Sequence, residues 1–207
     1  MNPLVSDLGI GIAVFASTNI DDMFLLAAFF ADSQLRHRSI VIGQYLGIGA
    51  LVLVSALAAL LALTIPEGWV ALLGLVPLLL GLTQLRALRM STAGMESESD
   101  ARRIQDQEHT AERRLHLPVL AVASVTLANG GDNVAVYVPL FATTFEAIPA
   151  YALTFAVMTG VWCALGYLLV SNKVLGGAIR RYGNVILPVV LITLGLSILS
   201  GASVLLH

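Results

Sequence analysis

The sequence predicts an all-α polytopic membrane protein, with six transmembrane helices arranged as two inverted three-helix repeats. Three observations carry that prediction. Of 207 residues, 57% are hydrophobic and only 12% charged, against roughly 25% charged in soluble domains; mean hydropathy is +0.87. The apolar residues form six long runs, near the length of about 20 residues that a helix needs to cross the hydrocarbon core. A short polar motif, Asn-x-x-Asp, stands inside both the first and the fourth run. With 18 Gly, 7 Pro and 1 Cys, collagen-like, disordered and disulfide-stapled classes are excluded. A net charge of −2 gives no basis for nucleic acid as a partner.

The runs are Leu8–Ala31, Ile40–Ile65, Trp69–Leu85, Leu117–Thr143, Pro149–Val170 and Val185–Leu206. Their apolar residues are continuous rather than alternating, which suits helices and not barrel strands. The third run is the shortest, and Trp69 at its start reads as an interface anchor. No Lys or Arg precedes the first run, which is long and carries two acids. A cleavable signal peptide is therefore not expected. Gly43-x-x-x-Gly47 and Gly160-x-x-x-Ala164 are spacings that let helices approach closely.

All eleven Lys and Arg residues fall in odd-numbered loops. Arg36 and Arg38 lie in the first loop. Arg86, Arg89, Arg102, Arg103, Arg113 and Arg114 border or fill the third, and Lys173, Arg180 and Arg181 lie in the fifth. The even loops carry only Glu67 and Glu146. Basic residues stay on the cytoplasmic side, so loops 32–39, 86–116 and 171–184 are predicted to be cytoplasmic. Both termini then face outward.

The third loop divides the chain into a first three-helix repeat (1–89), a hydrophilic cytoplasmic linker (90–116) and a second three-helix repeat (117–207). Its balanced charge reads as a solvated segment, partly helical through pairs such as Arg102–Asp106. His109 and His116 within it read as solvated rather than metal-sensing. Across the linker, Ser17-Thr18-Asn19-Ile20-Asp21-Asp22 aligns with Leu127-Ala128-Asn129-Gly130-Gly131-Asp132, and Phe30-Ala31 with Phe141-Ala142 after a slip of one residue. Later helices match weakly, through Leu80-Gly81-Leu82 and Leu194-Gly195-Leu196. Three helices per half is an odd number, so the halves run in opposite orientations. In such repeats equivalent helices meet at a midplane site.

Asp21, Asp22 and Asp132 lie well inside predicted helices. One Asp at a helix centre costs roughly 2.5–3.5 kcal/mol, and three cost about 8–10 kcal/mol on the same scale. Acids kept at that cost point to a binding site or an ion pathway. The structural alternative is a set of hydrogen-bonded carboxyls holding helices together. Their company is polar at helical spacing: Thr18, Asn19 and Asp22 share one side of the first helix, and Asn129, Asp132 and Asn133 one side of the fourth. Asp21 lies about 100° round the helix from Asp22 and can face elsewhere, with Ser17. Gly130-Gly131 can unwind the fourth helix and offer carbonyl oxygens, and Pro139 predicts a kink two turns later.

An oxygen-rich, net-negative site suits a cation. Three carboxylates around one divalent ion leave about one negative charge, which a proton could neutralise. Ion movement would then couple to a proton gradient. Met23, Met158 and Cys163 are the membrane-embedded sulfurs; Met158 and Cys163 do not share a helix face, and each reads as packing. The four histidines lie in loops or at the end of the chain, which excludes a His or Cys metal cluster in the membrane. Gln44, Tyr45 and Tyr137 are polar and within reach, with supporting, packing and interfacial roles all open.

These motifs resemble those of a known family. Thr18-Asn19-Ile20-Asp21-Asp22, and Asn129-Gly130-Gly131-Asp132-Asn133 followed by Tyr137-Val138-Pro139-Leu140-Phe141-Ala142, are similar to signatures of CadD-type cadmium resistance transporters, within the lysine-exporter superfamily. The resemblance extends over the whole chain, including its length, six helices and central hydrophilic loop. It implies a bacterial plasma-membrane exporter of Cd²⁺ or related divalent cations. Asn19, Asp22, Asn129 and Asp132 would be ion ligands, with Asp21 a ligand or proton carrier.

Cadmium is soft and favours thiolate, whereas these motifs present hard oxygen, which fits Mn²⁺, Mg²⁺ or Ca²⁺ at least as well. No cofactor is expected, because the ion is bound as substrate. An exporter of an amino acid or other organic cation is the alternative. Its substrate carboxylate would need a midplane helix N-terminus, since no Lys or Arg lies in the membrane. An intramembrane aspartyl protease fails on its motifs: Ile20 stands where a Tyr-Asp pair needs Tyr, and Asn129 stands where Gly-x-Gly-Asp needs its first glycine. The chain is therefore expected not to be an enzyme. Its expected partners are the ion and the lipid bilayer, with a homo-oligomer left open.

Overall fold

The computed structural model describes residues 3–33, 35–62, 64, 72–90, 118–171 and 188–200. Among these, every regular element is a helix. The first apolar run forms α1 (Pro3–Thr18) and α2 (Ile20–Ala31), and the second forms α3 (His37–Ala62). A turn of 3-10 helix (Leu72–Gly74) leads into α4 (Leu75–Met90), which carries Arg86 and Arg89 within its last turns. The fourth run forms α5 (Pro118–Asn129) and α6 (Gly131–Thr143). A second 3-10 turn (Phe145–Ala147) precedes α7 (Ile148–Ser171), and α8 (Pro188–Ser200) comes last. The central linker, the fifth loop, and His109, His116 and His207 lie outside the described residues.

Two segments, His37–Ala62 and Phe145–Val170, are long and apolar enough to cross a membrane as single rods. The count rises to four if each bent pair, α1 with α2 and α5 with α6, is one span. Leu72–Thr83 and Pro188–Ser200 are apolar but shorter. The outward faces carry large apolar side chains: on α3, Leu53, Leu57 and Leu61 are 60%, 53% and 73% exposed. Asn19, Asp22, Gln44 and Asn133 are buried instead. Apolar outside and polar inside is the distribution that a lipid solvent favours and water does not.

The first helix, expected to be continuous, breaks at Asn19 with a bend of 59°. Asn19 leaves helical geometry (φ −112°, ψ 20°), and its side-chain amide donates to the Phe15 carbonyl at 2.9 Å. An Asn side chain that competes for backbone partners in this way ends a helix readily. The fourth helix breaks at Gly130 with a bend of 67°. A Cβ on Gly130 would stand 2.3 Å from Leu51 Cδ1, so the close approach to α3 requires glycine there, whereas Gly131 has nothing within 4 Å. Pro139 lies inside α6, which runs on to Thr143, and the break in the fourth run falls at Gly130.

Small residues set how closely these pieces pack. A Cβ on Gly43 would stand 2.6 Å from Val122 Cβ and 2.7 Å from the Val119 carbonyl, and one on Gly47 would stand 2.6 Å from Thr126 Cβ. The α3 backbone therefore lies directly against α5. The second expected small-residue seam shifts along α7. Ala164 is exposed, and Gly166 makes the close approach to α2, where a Cβ would stand 2.7 Å from Leu26 Cβ. Gly81 meets Ile192 of α8, and Gly195 of α8 meets Leu78 and Gly74, so the two similar Leu-Gly-Leu segments serve one helix pair.

Ring contacts among Phe30, His37 and Tyr167 place the end of α2, the start of α3 and the end of α7 together. At the opposite end, Asp7 of α1 shares a cleft with Thr143–Ala147. Between the ends, Phe15, Tyr137, Phe141, Tyr151 and Phe155 are all fully buried. Their ring centroids are 4.6–6.3 Å apart, which packs the half formed by α1, α6 and the start of α7.

Gly43→Ala should push α3 off α5 and destabilise the protein by about 1–3 kcal/mol, the usual cost of overpacking. Gly49→Ala, with open space around it, should be near neutral. Thermal unfolding of the detergent-purified protein measures both, and equal midpoints would contradict the close α3–α5 contact.

Candidate functional site

The breaks decide where the acids sit. Asp21 and Asp22 fall in the first turn of α2, and Asp132 in the first turn of α6. A helix start presents unpaired N–H groups and a partial positive charge, so carboxylates at this depth gain donors that a continuous helix would deny them. The Asn133 N–H donates to Asp132 Oδ1 at 3.0 Å. Each break also brings the carbonyl-bearing end of α1 or α5 to the same level, the arrangement that discontinuous helices use to meet ions.

Hydrogen bonds tie the two breaks together. Asn129 Nδ2 donates to Asp22 Oδ1 (2.9 Å), and Gln44 Nε2 donates to Asp22 Oδ2 (3.1 Å). Thr126 Oγ1 donates to Gln44 Oε1 at 2.7 Å. From the other side, Asn133 Nδ2 donates to Asn19 Oδ1 (3.2 Å), and Asn19 Nδ2 donates to the Tyr137 hydroxyl (2.9 Å). The Trp162 indole N–H donates to the Asn19 main-chain carbonyl. Thr18 donates to the Val14 carbonyl (3.0 Å) and accepts from Asn19 Nδ2 (3.0 Å), so it braces Asn19.

The cluster is asymmetric. Both oxygens of Asp22 already accept hydrogen bonds, and the residue is 2% exposed. Asp132 and Asn129 are half-buried. Asn133 Oδ1 is buried with no hydrogen-bond partner, an open lone-pair donor next in sequence to the Asp132 carboxylate. Asp21 is exposed, as its offset from Asp22 requires, yet its charge reaches both Asp22 and Asp132. The Ser17 hydroxyl donates to the Val14 carbonyl (2.9 Å).

Among the described residues, no three His, Cys, Asp or Glu side chains assemble into a metal-holding group. The expected shell of three carboxylates is therefore not formed. Asp21 and Asp22 point about 100° apart on α2: Asp22 is buried against Asn129 and Gln44, while the charge of Asp21 acts on Asp132 more strongly than that of Asp22 does. Both acids of α2 and the Asp132 of α6 thus stand around the amides of Asn19, Asn129 and Asn133. Met23 and Cys163 are buried in the core and Met158 packs against it, with Cys163 within electrostatic range of Asp22.

Residues 15–205 match the cadmium resistance transporter family. The chain belongs to that family. No curated protein and no solved structure matches it. Family membership makes this a membrane transporter for metal ions, in accord with the resemblance carried by the two motifs.

Within this family member, two polar residues with open roles join the site: Gln44 through Asp22, and Tyr137 through Asn19. Tyr45 does not; it is 41% exposed, with its hydroxyl beside Gly160. Thr126 and Trp162 were not anticipated. Thr126 lies one turn before Asn129, on the same face. Trp162 is an indole deep inside an apolar run, where its N–H needs a partner.

Gln44→Leu leaves one oxygen of a buried carboxylate without its donor and should cost about 1–3 kcal/mol. Thr126→Val acts through the same amide, so the two changes should be non-additive by about 0.5–3 kcal/mol. A double-mutant cycle on thermal stability measures this, and strict additivity would break the proposed chain.

Proposed function

We propose that the protein exports a divalent metal cation, held as substrate between the two helix breaks by Asp22, Asp132, Asn19, Asn129 and Asn133. The observation that carries the reading is the unpartnered Asn133 Oδ1 inside a cluster that joins both breaks. A buried acceptor without a partner costs about 1–3 kcal/mol, and a cation seated there satisfies it. Asp22 and Asp132 together match the charge of one divalent ion. The donors are all oxygen, which accepts Mn²⁺- or Ca²⁺-like ions readily and holds Cd²⁺ weakly enough to release it.

An inverted repeat accounts for the geometry. The pair α1–α2 corresponds to α5–α6, α3 to α7, and α4 to α8, giving six crossings in all. By the charge bias, the end bearing Arg36 and Arg38 faces the cytoplasm of a bacterial cell and the Asp7 end faces outward. The five buried rings then close the outer path, while α2 on the cytoplasmic half leaves Asp21 exposed. Asp21 serves as the third carboxyl, able to take up a proton as the ion leaves, so that the proton gradient drives export.

Flux of Cd²⁺ and Mn²⁺ into everted vesicles tests this. Asp22→Asn and Asp132→Ala should each reduce flux to background while the protein still inserts. That exceeds the roughly 10–100-fold loss typical of groups that only support a ligand. Normal flux in either variant would overturn the shared site. Collapsing the pH gradient should slow wild-type export, and indifference to it would remove the proton from the mechanism.

A further inference from the structure

We propose that Asn129 is the exchanging ligand of the cluster. Its amide turns over as a metal ion seats, so that its N–H leaves Asp22 and its oxygen faces the ion. Asn19, its counterpart in the other Asn-x-x-Asp motif, stays fixed. The inference rests on the transport reading above and adds the order in which the ligands engage.

An amide offers a cation only its oxygen, because its nitrogen end carries hydrogens and acts as a donor. Around Asp22 the amides face the wrong way for a cation. Asn129 Nδ2 stands 2.9 Å from Oδ1, and Gln44 Nε2 stands 3.1 Å from Oδ2. A positive N–H end therefore lies against each oxygen of a buried carboxylate. For Asp22 to hold a metal ion, one of those ends has to give way.

The hydrogen bonds decide which one. Turning Gln44 would break its bond to Asp22 and also the 2.7 Å bond that it accepts from Thr126. Turning Asn19 would bring its oxygen against the Phe15 carbonyl, now 2.9 Å from its Nδ2, and a carbonyl can only accept. Asn19 is 0% exposed and is also held by Tyr137 (2.9 Å) and by the Asn133 amide (3.2 Å). With Asn19 fixed, Asn133 is fixed as well, its Nδ2 turned to Asn19 and its Oδ1 left without a partner. Asn129 differs from all three. Among the described residues its side chain makes one hydrogen bond, the one to Asp22. It is half-buried, and it ends α5 at the break, close to Gly131, which has nothing within 4 Å of a Cβ position. The terminal torsion of Asn is broad, so its amide can turn without moving a helix.

A metal ion then first meets the oxygens that no side-chain amide covers, those of half-buried Asp132 and Asn133 Oδ1. Its charge repels the N–H end of Asn129 and attracts the oxygen end. The turn breaks one hydrogen bond and sets two further oxygens beside the ion, Asn129 Oδ1 and the uncovered Asp22 Oδ1. A monovalent ion is already matched by the Asp132 carboxylate. Only a divalent ion gains from the second, so the exchange favours divalent cargo.

Side-chain amide signals in the NMR spectrum of the detergent-purified full-length protein, isotopically labelled at asparagine, test the turn during a Cd²⁺ titration. The Asn129 signal is the one missing from Asn129→Asp or, if that variant does not fold, from Asn129→Ser. Its hydrogens should lose their protection from exchange with water at least tenfold as Cd²⁺ binds, while those of Asn19 keep theirs. If Cd²⁺ saturates the protein and the Asn129 amide stays protected, or both amides open together, the exchange is overturned and the transport reading stands. Binding and flux test it independently. Asn129→Asp has no N–H to turn away and adds a charge, so Mn²⁺ should bind at least tenfold tighter while maximal flux falls at least threefold. Asn19→Asp should weaken binding instead. Equal weakening by both substitutions would reduce Asn129 to a brace and overturn the proposal. A wild type that moves no metal but opens the Asn129 amide on Cd²⁺ binding would refute the transport reading and leave the exchange standing.

Discussion

The buried carboxylate of Asp22 is the constraint around which the core is arranged. A charge or strong acceptor in a low-dielectric interior is tolerated only when its oxygens are paired. Here one oxygen is paired from the end of α5 and the other from α3. Those two donors come from opposite sides of the long linker and from a rod that is otherwise apolar. Bringing them to one carboxyl obliges α2, α3 and α5 to meet, and the glycines of α3 let them meet at backbone distance.

The helix breaks answer the same constraint along the other axis. A continuous helix at this depth would spend its N–H groups on its own carbonyls and leave the acids to lipid or to one another. Bending at Asn19 and Gly130 turns the first turns of α2 and α6 into carboxylate-bearing N-termini inside the bundle. The favourable interaction of an acid with a helix start is about 0.3–1 kcal/mol when exposed and up to about 2 kcal/mol when partly buried. That offsets a real share of the insertion cost of each acid. The N-termini and C-termini exposed at the breaks give the cluster both donors and acceptors.

The two halves of the bundle are not equivalent in what they pack. The half built from α1, α6 and the start of α7 is filled by fully buried rings. Rings in offset and tilted contact contribute about 0.5–1.5 kcal/mol per pair beyond the area they bury. The half built from α2 and α5 carries the polar line Thr126–Gln44–Asp22 and leaves Asp21 exposed.

Much of this could be read from the chain itself. Six apolar runs, their charge bias and the repeated Asn-x-x-Asp followed from composition and spacing, because lipid demands long apolar helices and penalises every exception. The polar residues that meet between the helix breaks stood out for the same reason: Asn19, Asp22, Asn129, Asp132 and Asn133 are costly in an apolar run. The break at Asn19 was not legible, since its partners Tyr137 and Trp162 are more than a hundred residues away. Nor was the separation of Asp21 from Asp22 into an exposed and a buried carboxyl, or the place of Thr126, which looks like any helical threonine until Gln44 is beside it. Local sequence determined which residues would be polar within the membrane. Only the tertiary structure decided which of them meet, because that depends on donors and acceptors brought together from helices more than a hundred residues apart in the chain.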